Sequence, residues 1–342
     1  LIAGLMYAQP AAGSPNYQAL NEAVINQQIV PAYKSFASTT RALNQSAQSF
    51  CEERSDKRLE RVQAAVQDAW QAWAAAQHTR FGPIQFLTRS VRIQFWPDRR
   101  GKTSKHLNAL VAREDAADLE PVKFSKTSVA VQGFPALERL LFTGEPTAPG
   151  FEFRCSVVLA IAGNLETIAS NLLRDWLSEA TAYEKKALSP GLENPFFPAA
   201  KNVSAVILKD ISTALEFVTS AKLDRALGDN LSATNHMRLE AWRSDLSGAL
   251  IAIYLEMVIE ILKLIDPEVE QVALSGDISA LQNVRDQIGS IPSSLSAYSV
   301  TEDGHAALSA LSARLKETRV ELMEKLLPAL DLTLGFNSLD GD

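Results

Sequence analysis

Histidine and cysteine are scarce in this sequence, with four and two copies respectively among 342 residues. No two of them stand at the spacing of a zinc finger, an HExxH helix or a CxxC pair, so those metal and redox motifs are excluded. An excess of positive charge is also lacking, because 33 Lys and Arg face 40 Asp and Glu. A chain with a net charge of −7 is a poor general binder of phosphate backbones, and we expect no nucleic-acid partner.

A long apolar run without charges is missing as well. The most apolar stretch, residues 248–265, carries Glu256, Glu260 and Lys263, and charges near the centre of a membrane helix are costly. We therefore expect a buried amphipathic helix there and no transmembrane span. Segments that alternate apolar and polar residues are nearly absent, which argues against a β-sheet.

Helical periodicity, in contrast, is present along most of the chain. Apolar residues recur at steps of three and four over residues 59–73, 157–176, 203–218, 239–264 and 308–326. Each stripe makes one apolar helix face that has to pack on a neighbouring helix. We predict an all-α protein of two helical bundles, an arrangement that a diverged duplication would also produce.

The stretch Ser189–Pro198 is rich in proline and glycine and marks the predicted boundary between the bundles. Residues 15–190 would form the N-terminal bundle, and residues 191–342 the C-terminal bundle with a docked tail. Residues 1–14 are apolar and then small, which predicts a remnant of a secretory signal or, alternatively, a disordered start. No cysteine follows the initial LIAG, so we predict no lipid anchor.

The two cysteines take on a role if the protein is exported. Cys51 and Cys155 can then form a disulfide across 104 residues. In the loop-entropy model a bridge of this span stabilises the fold by at most about 4–5 kcal/mol. Two separate buried thiols are the alternative, and we expect the bridge.

Residues 133–138 read GFPALE and resemble the GxHxxE signature of the imelysin-like family. Gly133 and Glu138 match the signature, whereas Pro135 stands in place of the histidine. Five other segments are similar to the family in the same order, from about residue 20 to the end: RFGP (Arg80–Pro83), RIQFWPD (Arg92–Asp98), RCSVVLAIAGNL (Arg154–Leu165), RLEAWRSDL (Arg238–Leu246) and GFNSLDGD (Gly335–Asp342).

The resemblance implies a fold of two helical bundles and export to the bacterial periplasm or outer membrane. Many relatives are linked to iron uptake. The family also carries a peptidase label, for which the signature His and Glu are the proposed metal ligands. A zinc peptidase needs three protein ligands, an open water position and a general base. Pro135 cannot bind a metal. The motif that supports the peptidase label is therefore incomplete in this chain.

Glu138 is the central candidate of the signature segment. Pro135 suits the first turn of a helix, so we predict a helix break near Gln132 and a new helix after it. On that helix Glu138 falls inside the apolar stripe made by Phe134, Leu137 and Leu141. A buried carboxylate requires a partner, because an unpaired buried charge is costly.

Three kinds of partner for Glu138 stay open at this point: an arginine, backbone N–H groups at a helix start, or a metal ion. Guanidinium pairs well with a buried carboxylate. The arginines of the family-like segments are Arg80, Arg92, Arg154, Arg238 and Arg243. A divalent metal or iron at Glu138 would need further oxygen ligands, for which Asp98, Asp340 and Asp342 are available.

Residues 89–106 contain six Lys and Arg against one acid, Asp98, together with Trp96. This composition predicts either a cleft wall that attracts an anionic ligand or a solvated loop. We place the ligand site in the cleft between the bundles. Its predicted residues are Glu138, Arg80, Arg92, Trp96, Asp98, Arg238, Arg243, Asn337 and Asp340.

These observations lead us to expect a periplasmic or envelope binding protein that assists iron or other metal acquisition and catalyses no reaction. The ligand would be a small molecule, with an anion as one option, or a metal. A partner protein at the cell envelope is a further option. One alternative is a divergent metallopeptidase that uses Glu138 and a non-motif histidine such as His78. A second is a structural or partner-binding surface protein.

Overall fold

The computed structural model describes residues 15–333 except 149, 178–182, 270–271 and 292–293. All regular elements within these residues are helical and no strand occurs among them, which confirms the predicted all-α class. The expected signal remnant at residues 1–14 and the expected docked tail, with Asn337 and Asp340, lie outside the described residues.

The described part of the N-terminal half forms helices α1 to α9. They are α1 (Tyr17–Val24), α2 (Val30–Glu52), α3 (Asp56–Ala76), α4 (Arg89–Ile93), α5 (Lys102–Arg113), α6 (Pro121–Phe124), α7 (Phe134–Leu141), α8 (Glu152–Leu177) and α9 (Tyr183–Leu188). A π-helical turn (Ile25–Ile29) joins α1 to α2. The connections also hold 3-10 turns at Gly82–Thr88, Ala116–Leu119 and Val129–Val131.

Helix α2 forms the centre of this half, because it packs along both α3 and α8. Helix α7 packs on α3, where the Phe134 ring stacks on Trp70 at 5.2 Å between centroids. The apolar stripes that predict α3 and α8 are buried in the core. A disulfide joins Cys51 in α2 to Cys155 in α8 with their Cα atoms 5.6 Å apart, so the predicted bridge is confirmed.

The described part of the C-terminal half forms helices α10 to α15. They are α10 (Ala200–Phe217), α11 (Arg225–Leu227), α12 (Ser247–Ile265), α13 (Ser275–Gly289), α14 (Leu295–Ser299) and α15 (Glu302–Ala329). A π-helical turn (Val218–Asp224) follows α10, and 3-10 turns occur at Leu231–Ala233, His236–Arg238 and Asp266–Glu268. Helix α12 packs on α13, and α15 packs on both α13 and α10.

The first helix connects the two halves. Helix α1 packs on α10 and α12, whereas α2 belongs to the N-terminal core. The Asn21 side chain donates a hydrogen bond to the carbonyl of Ala200 at 2.9 Å and accepts one from the Ser204 hydroxyl at 2.8 Å. Helix α12 also packs on α3, so one apolar core runs through both halves. The division of the chain near residue 190 stays a prediction.

The periodic stripe over residues 239–264 predicts one long helix, and this prediction is wrong for its first third. Helix α12 begins only at Ser247, and residues 239–246, which we name the turn segment, are not helical. Ala241 and Asp245 have positive φ values of 52° and 57°. The turn segment gives backbone N–H groups to a distant carboxylate, described below, and such tertiary contacts override local propensity.

Helix α8 is long and apolar enough to cross a membrane, judged by length and composition alone. Its buried face packs on α2, and it holds Cys155 of the disulfide. Core helices of many proteins share this length and composition. Residues 248–265, for which we expected a buried amphipathic helix, form most of α12, and the apolar face of that helix is buried.

Candidate ligand-binding cleft

The signature glycine is required by packing. A Cβ atom at Gly133 would lie 2.0 Å from the carbonyl oxygen of Ile93, so only glycine lets α7 start against the end of α4. Pro135 follows in the first turn of α7, where its missing N–H has no helical partner to lose. The predicted helix after Gln132 is confirmed, and the contact of Gly133 with Ile93 sets where this helix begins.

Glu138 lies inside the apolar stripe of α7 as predicted, with 3% of its surface exposed. Its Oε1 accepts hydrogen bonds from the N–H of Arg243 at 2.9 Å, the N–H of Ser244 at 3.1 Å and the Ser244 hydroxyl at 3.0 Å. Its Oε2 lies 3.5 Å from Nη1 of Arg243. Burial raises the pKa of Glu138, opposed by the hydrogen bonds of Ser244 and the charge of Arg243. Of the three kinds of partner considered for Glu138, two are present together: an arginine side chain and backbone N–H groups.

The turn segment is shaped to present those donors. The positive φ of Ala241 turns the backbone so that two successive N–H groups, of Arg243 and Ser244, reach the same oxygen of Glu138. A non-glycine residue in this region costs of order 1 kcal/mol and persists only where its surroundings hold it. The Arg243 guanidinium is held further by the Trp242 ring, 4.1 Å from the centroid.

A cleft of about 150 Å³ opens beside Glu138, between residues of the N-terminal half and residues 225–243. Five of the predicted site residues line it together: Glu138, Trp96, Asp98, Arg238 and Arg243. Further lining residues that the sequence argument did not select are Pro135, Arg139, Arg225 and Trp242.

Asp98 faces the cleft but its carboxylate is already used by α5. Its Oδ2 accepts the N–H of Thr103 at 2.8 Å and its Oδ1 accepts the N–H of Lys102 at 3.0 Å. Partial burial raises the pKa of Asp98, but the N–H groups of Thr103 and Lys102 outweigh it and hold that pKa below its usual value. Asp98 therefore binds the first two N–H groups of α5, whose N-cap residue is Gly101.

Arg80 and Arg92 are not brought to this cleft, contrary to our expectation. Arg92 donates from Nε to Gln132 at 2.7 Å and from Nη2 to Asn164 at 2.9 Å, and it lines a separate cavity of about 510 Å³. The Arg80 guanidinium rests 4.9 Å from the Phe217 ring centroid in a third cavity of about 350 Å³. Among the residues that the structure describes, Trp96 alone lines both this third cavity and the cleft.

The basic segment 89–106 does not form the cationic wall that its composition suggests. Arg89 is buried in an ion pair with Asp175 at 2.6 Å, and Arg92 is bonded as described above. The side chains of Arg99, Arg100, Lys102 and Lys105 are exposed and do not line the cleft. The positive charge of the cleft comes instead from α7 and from residues 225–243.

A second buried ionic centre lies behind Trp96, and we name it the lysine cage. Lys222 and Glu240 form an ion pair with only 1% and 3% of their side chains exposed. The Lys222 ammonium lies 5.1–5.7 Å from the ring centroids of Tyr254, Phe217 and Trp96. Glu240 also accepts a hydrogen bond from Gln94. The turn segment is thus bound on one side by Glu138 and on the other by Lys222.

The residues around Glu138 do not fit a metal ion. The Pro135 ring lines the cleft at the histidine position of the signature, and both Glu138 oxygens already face N–H or O–H donors. His78 is buried with its Nδ1 2.8 Å from the Ala75 carbonyl oxygen, and it does not line the cleft. Within the described ranges, no group of three or more His, Cys, Asp or Glu is placed to hold a metal.

Sequence reasoning missed Lys222, Glu240, Ser244, Arg139 and Arg225. For Lys222 a signal existed, because it stands one helical step after Val218 on an apolar stripe, as Glu138 stands on its own stripe. Arg139 and Arg225 carry no such signal, since arginines on partly exposed helical positions are common.

The sequence of the chain is similar to that of known proteins. Residues 29–327 match the model of a peptidase family described as Imelysin. The chain is 26% identical over 202 residues to the "Iron-regulated protein A" of Synechococcus elongatus, and this match covers 58% of the chain but only 52% of that relative. The chain therefore spans about half the length of the curated relative it matches.

Solved structures agree with the fold. An imelysin-like protein from Psychrobacter arcticum 273-4 superposes with a TM-score of 0.78 at 19% identity, covering 95% of this chain and 100% of that one. An iron-regulated protein A precursor from Parabacteroides distasonis superposes with a TM-score of 0.71 at 13% identity, covering 92% and 96%. At these identities the likeness supports the fold alone.

Proposed function

The chain belongs to the imelysin family, and on that premise we propose that it is an exported binding protein that assists iron acquisition. One curated relative and one structural neighbour are named as iron-regulated proteins, which supports the iron-related part of the proposal. The observation that carries the binding part is the cleft, where Glu138 and four arginines from both halves of the chain meet around one small cavity.

Binding without catalysis is supported by how the carboxylates of the cleft are used. A general base or a metal ligand needs an oxygen that faces the reacting molecule or the ion. Both Glu138 and Asp98 instead accept backbone N–H groups. The cleft volume of about 150 Å³ is also below the roughly 300–1,000 Å³ that holds drug-sized ligands. A small ligand suits this space better than an extended peptide.

Export is supported by the disulfide between Cys51 and Cys155, since such bridges persist in oxidising compartments. We place the protein in the periplasm or elsewhere in the cell envelope, where an iron-binding accessory would meet its ligand.

Deleting the gene in the organism that encodes the chain tests the iron-related role. We expect slower growth and lower iron uptake under iron limitation, with both restored by the wild-type chain. The cleft variant Arg238→Gln should restore neither fully, whereas Arg61→Gln, at an exposed position of α3 outside the cleft, should restore both. Iron uptake and growth equal to the parent strain would contradict the proposal.

Two further measurements test the location and the absence of catalysis. Cell fractionation should recover the protein outside the cytoplasm. The purified chain should cleave no peptide, and stoichiometric zinc together with chelator-sensitive peptide cleavage would instead favour the metallopeptidase alternative.

A further inference from the structure

The cleft holds an unbalanced set of charges. Arg139, Arg225, Arg238 and Arg243 line it against Glu138 and Asp98, which leaves two positive charges in excess. In the part of the chain that the structure describes, Arg243 forms an ion pair with Glu138, but no carboxylate lies within 4 Å of the guanidinium of the other three. Three of the four guanidinium groups around this small space therefore have no carboxylate in direct contact.

The arginines also act on one another. Burial and then the charges of Arg99 and Arg238 lower the pKa of Arg225, and the charge of Asp98 opposes this shift without cancelling it. Burial and then the charge of Arg139 lower the pKa of Arg243. Like charges held this close repel, and a bound anion would offset both the repulsion and the loss of water.

The two carboxylates of the cleft supply that compensation only in part, Asp98 toward Arg225 and Glu138 toward Arg243. Asp98 is turned to the N–H groups of Lys102 and Thr103, and Glu138 to those of Arg243 and Ser244. Carboxylate oxygens of both residues thus accept hydrogen bonds from backbone N–H groups at the edge of the cleft. A metal cation entering the cleft would meet the positive excess without a free ligand oxygen.

We propose that the cleft excludes bare metal cations and binds a small multivalent oxyanion, a polycarboxylate or a phosphate, through Arg139, Arg225 and Arg238. The inference rests on the proposed function in that the same cleft holds the ligand. Iron would then reach the protein as an anionic carboxylate chelate and not as a free ion. Arg243 is a positioning residue, because it already holds Glu138 and stacks on Trp242.

The remaining walls suit such a ligand. Guanidinium groups present planar pairs of N–H donors that match carboxylate and phosphate oxygens two at a time. The Trp96 and Trp242 rings line the same space and add apolar surface beside those contacts. The Pro135 ring occupies the signature position and adds an apolar surface where a histidine would present a metal ligand.

Calorimetric titration of the purified full chain tests the inference, with citrate, ferric citrate, phosphate and zinc as probes. We expect oxyanion binding that weakens as ionic strength rises, and no zinc binding. Arg225→Gln and Arg139→Gln should each weaken the oxyanion affinity about tenfold or more. Arg225→Lys, which keeps the charge but loses the planar fork, should fall between them and the wild type.

Arg61→Gln is the matched control, because it removes the same charge from an exposed position of α3. Unchanged circular dichroism and melting temperature confirm that each variant is folded. If Arg61→Gln weakens binding as much as the cleft variants, or if zinc binds and neither citrate nor phosphate does, the inference is overturned.

The probes also separate this inference from the proposed function. Preference for citrate or its ferric complex supports both. Preference for phosphate supports the oxyanion site but removes its link to iron. Absence of binding by every oxyanion up to millimolar concentration overturns the oxyanion site, while growth under iron limitation still decides the iron-related role.

Discussion

Two carboxylates fix the turn segment on its opposite sides, Glu138 from outside the segment and Glu240 from within it. Their partners differ. Glu138 reaches it from α7 and is satisfied mainly by neutral N–H and O–H donors, with Arg243 as a partner whose side chain is 17% exposed. Glu240 lies in the turn segment itself and faces the ammonium of Lys222, which is closed off by three aromatic rings.

The difference separates an adjustable contact from a fixed one. A carboxylate bound by neutral donors can take up a proton or exchange a partner without leaving an opposite charge buried. In the pair of Glu240 and Lys222, removal of either side chain leaves a lone charge in the interior. We infer that the cleft side of the turn segment responds to ligand and pH, whereas the lysine cage sets its position.

The largest effect is expected from breaking the lysine cage. Lys222→Met should lower the free energy of unfolding by about 3–5 kcal/mol, because Glu240 is then buried without a counter-charge. Urea denaturation of the purified protein measures the change. The double variant with Glu240→Leu should recover most of the loss, since no charge then stays behind. A loss below about 1 kcal/mol in Lys222→Met would remove the distinction between the two carboxylates.

Removing the Glu138 carboxylate should cost less. Glu138→Ala leaves the N–H groups of Arg243 and Ser244 without an acceptor, and we expect a loss of about 1–3 kcal/mol. Glu138→Gln keeps an oxygen that can accept the same bonds and should cost less than Ala. Glu317→Gln, at an exposed position of α15, is the matched control. Equal losses for Gln and Ala would mean that the neutral donors do not govern this site.

The smallest expected effect is a pH dependence at Glu138. Burial raises its pKa above the usual value of 4.5, so the folded state binds more protons than the unfolded state between the usual and the raised pKa. The stabilising contribution is therefore complete below about pH 4.5 and is lost as pH rises through the raised pKa. In urea denaturation from acid to neutral pH, wild type should lose stability relative to Glu138→Gln. A difference that is constant with pH would contradict this sign.

Local regularities explain which parts of the fold were predictable. Helical periodicity is a property of neighbouring residues, and it predicted α3, α8, α10 and α15 as well as the buried position of Glu138 in α7. It failed over residues 239–246, because the N–H groups of Arg243 and Ser244 bind a carboxylate more than one hundred residues earlier in the chain. Periodicity contains no information about a contact of that separation.

The candidate site was predictable only in part for a related reason. Segments that resemble a family reveal which stretches of chain matter, but not the direction of each side chain. Arg92 lies on α4 and turns to Gln132 and Asn164, whereas Trp96 follows the end of α4 and turns into the cleft. Only the folded chain shows that Arg225 lines the cleft together with Trp96, since nothing in the local sequence of Arg225 marks it.

The position of α1 has a consequence for the order in which the chain can fold. Synthesis proceeds from the N terminus, so α1 is made well before α10 and α12, which pack on it together with α9. Asn21 finds its partners at Ala200 and Ser204, about 180 residues later. Such a contact has a high sequence separation and forms slowly. The apolar face of α1 therefore stays without these packing partners until about 180 further residues have been made, and exposed apolar surface of this kind favours aggregation in that interval.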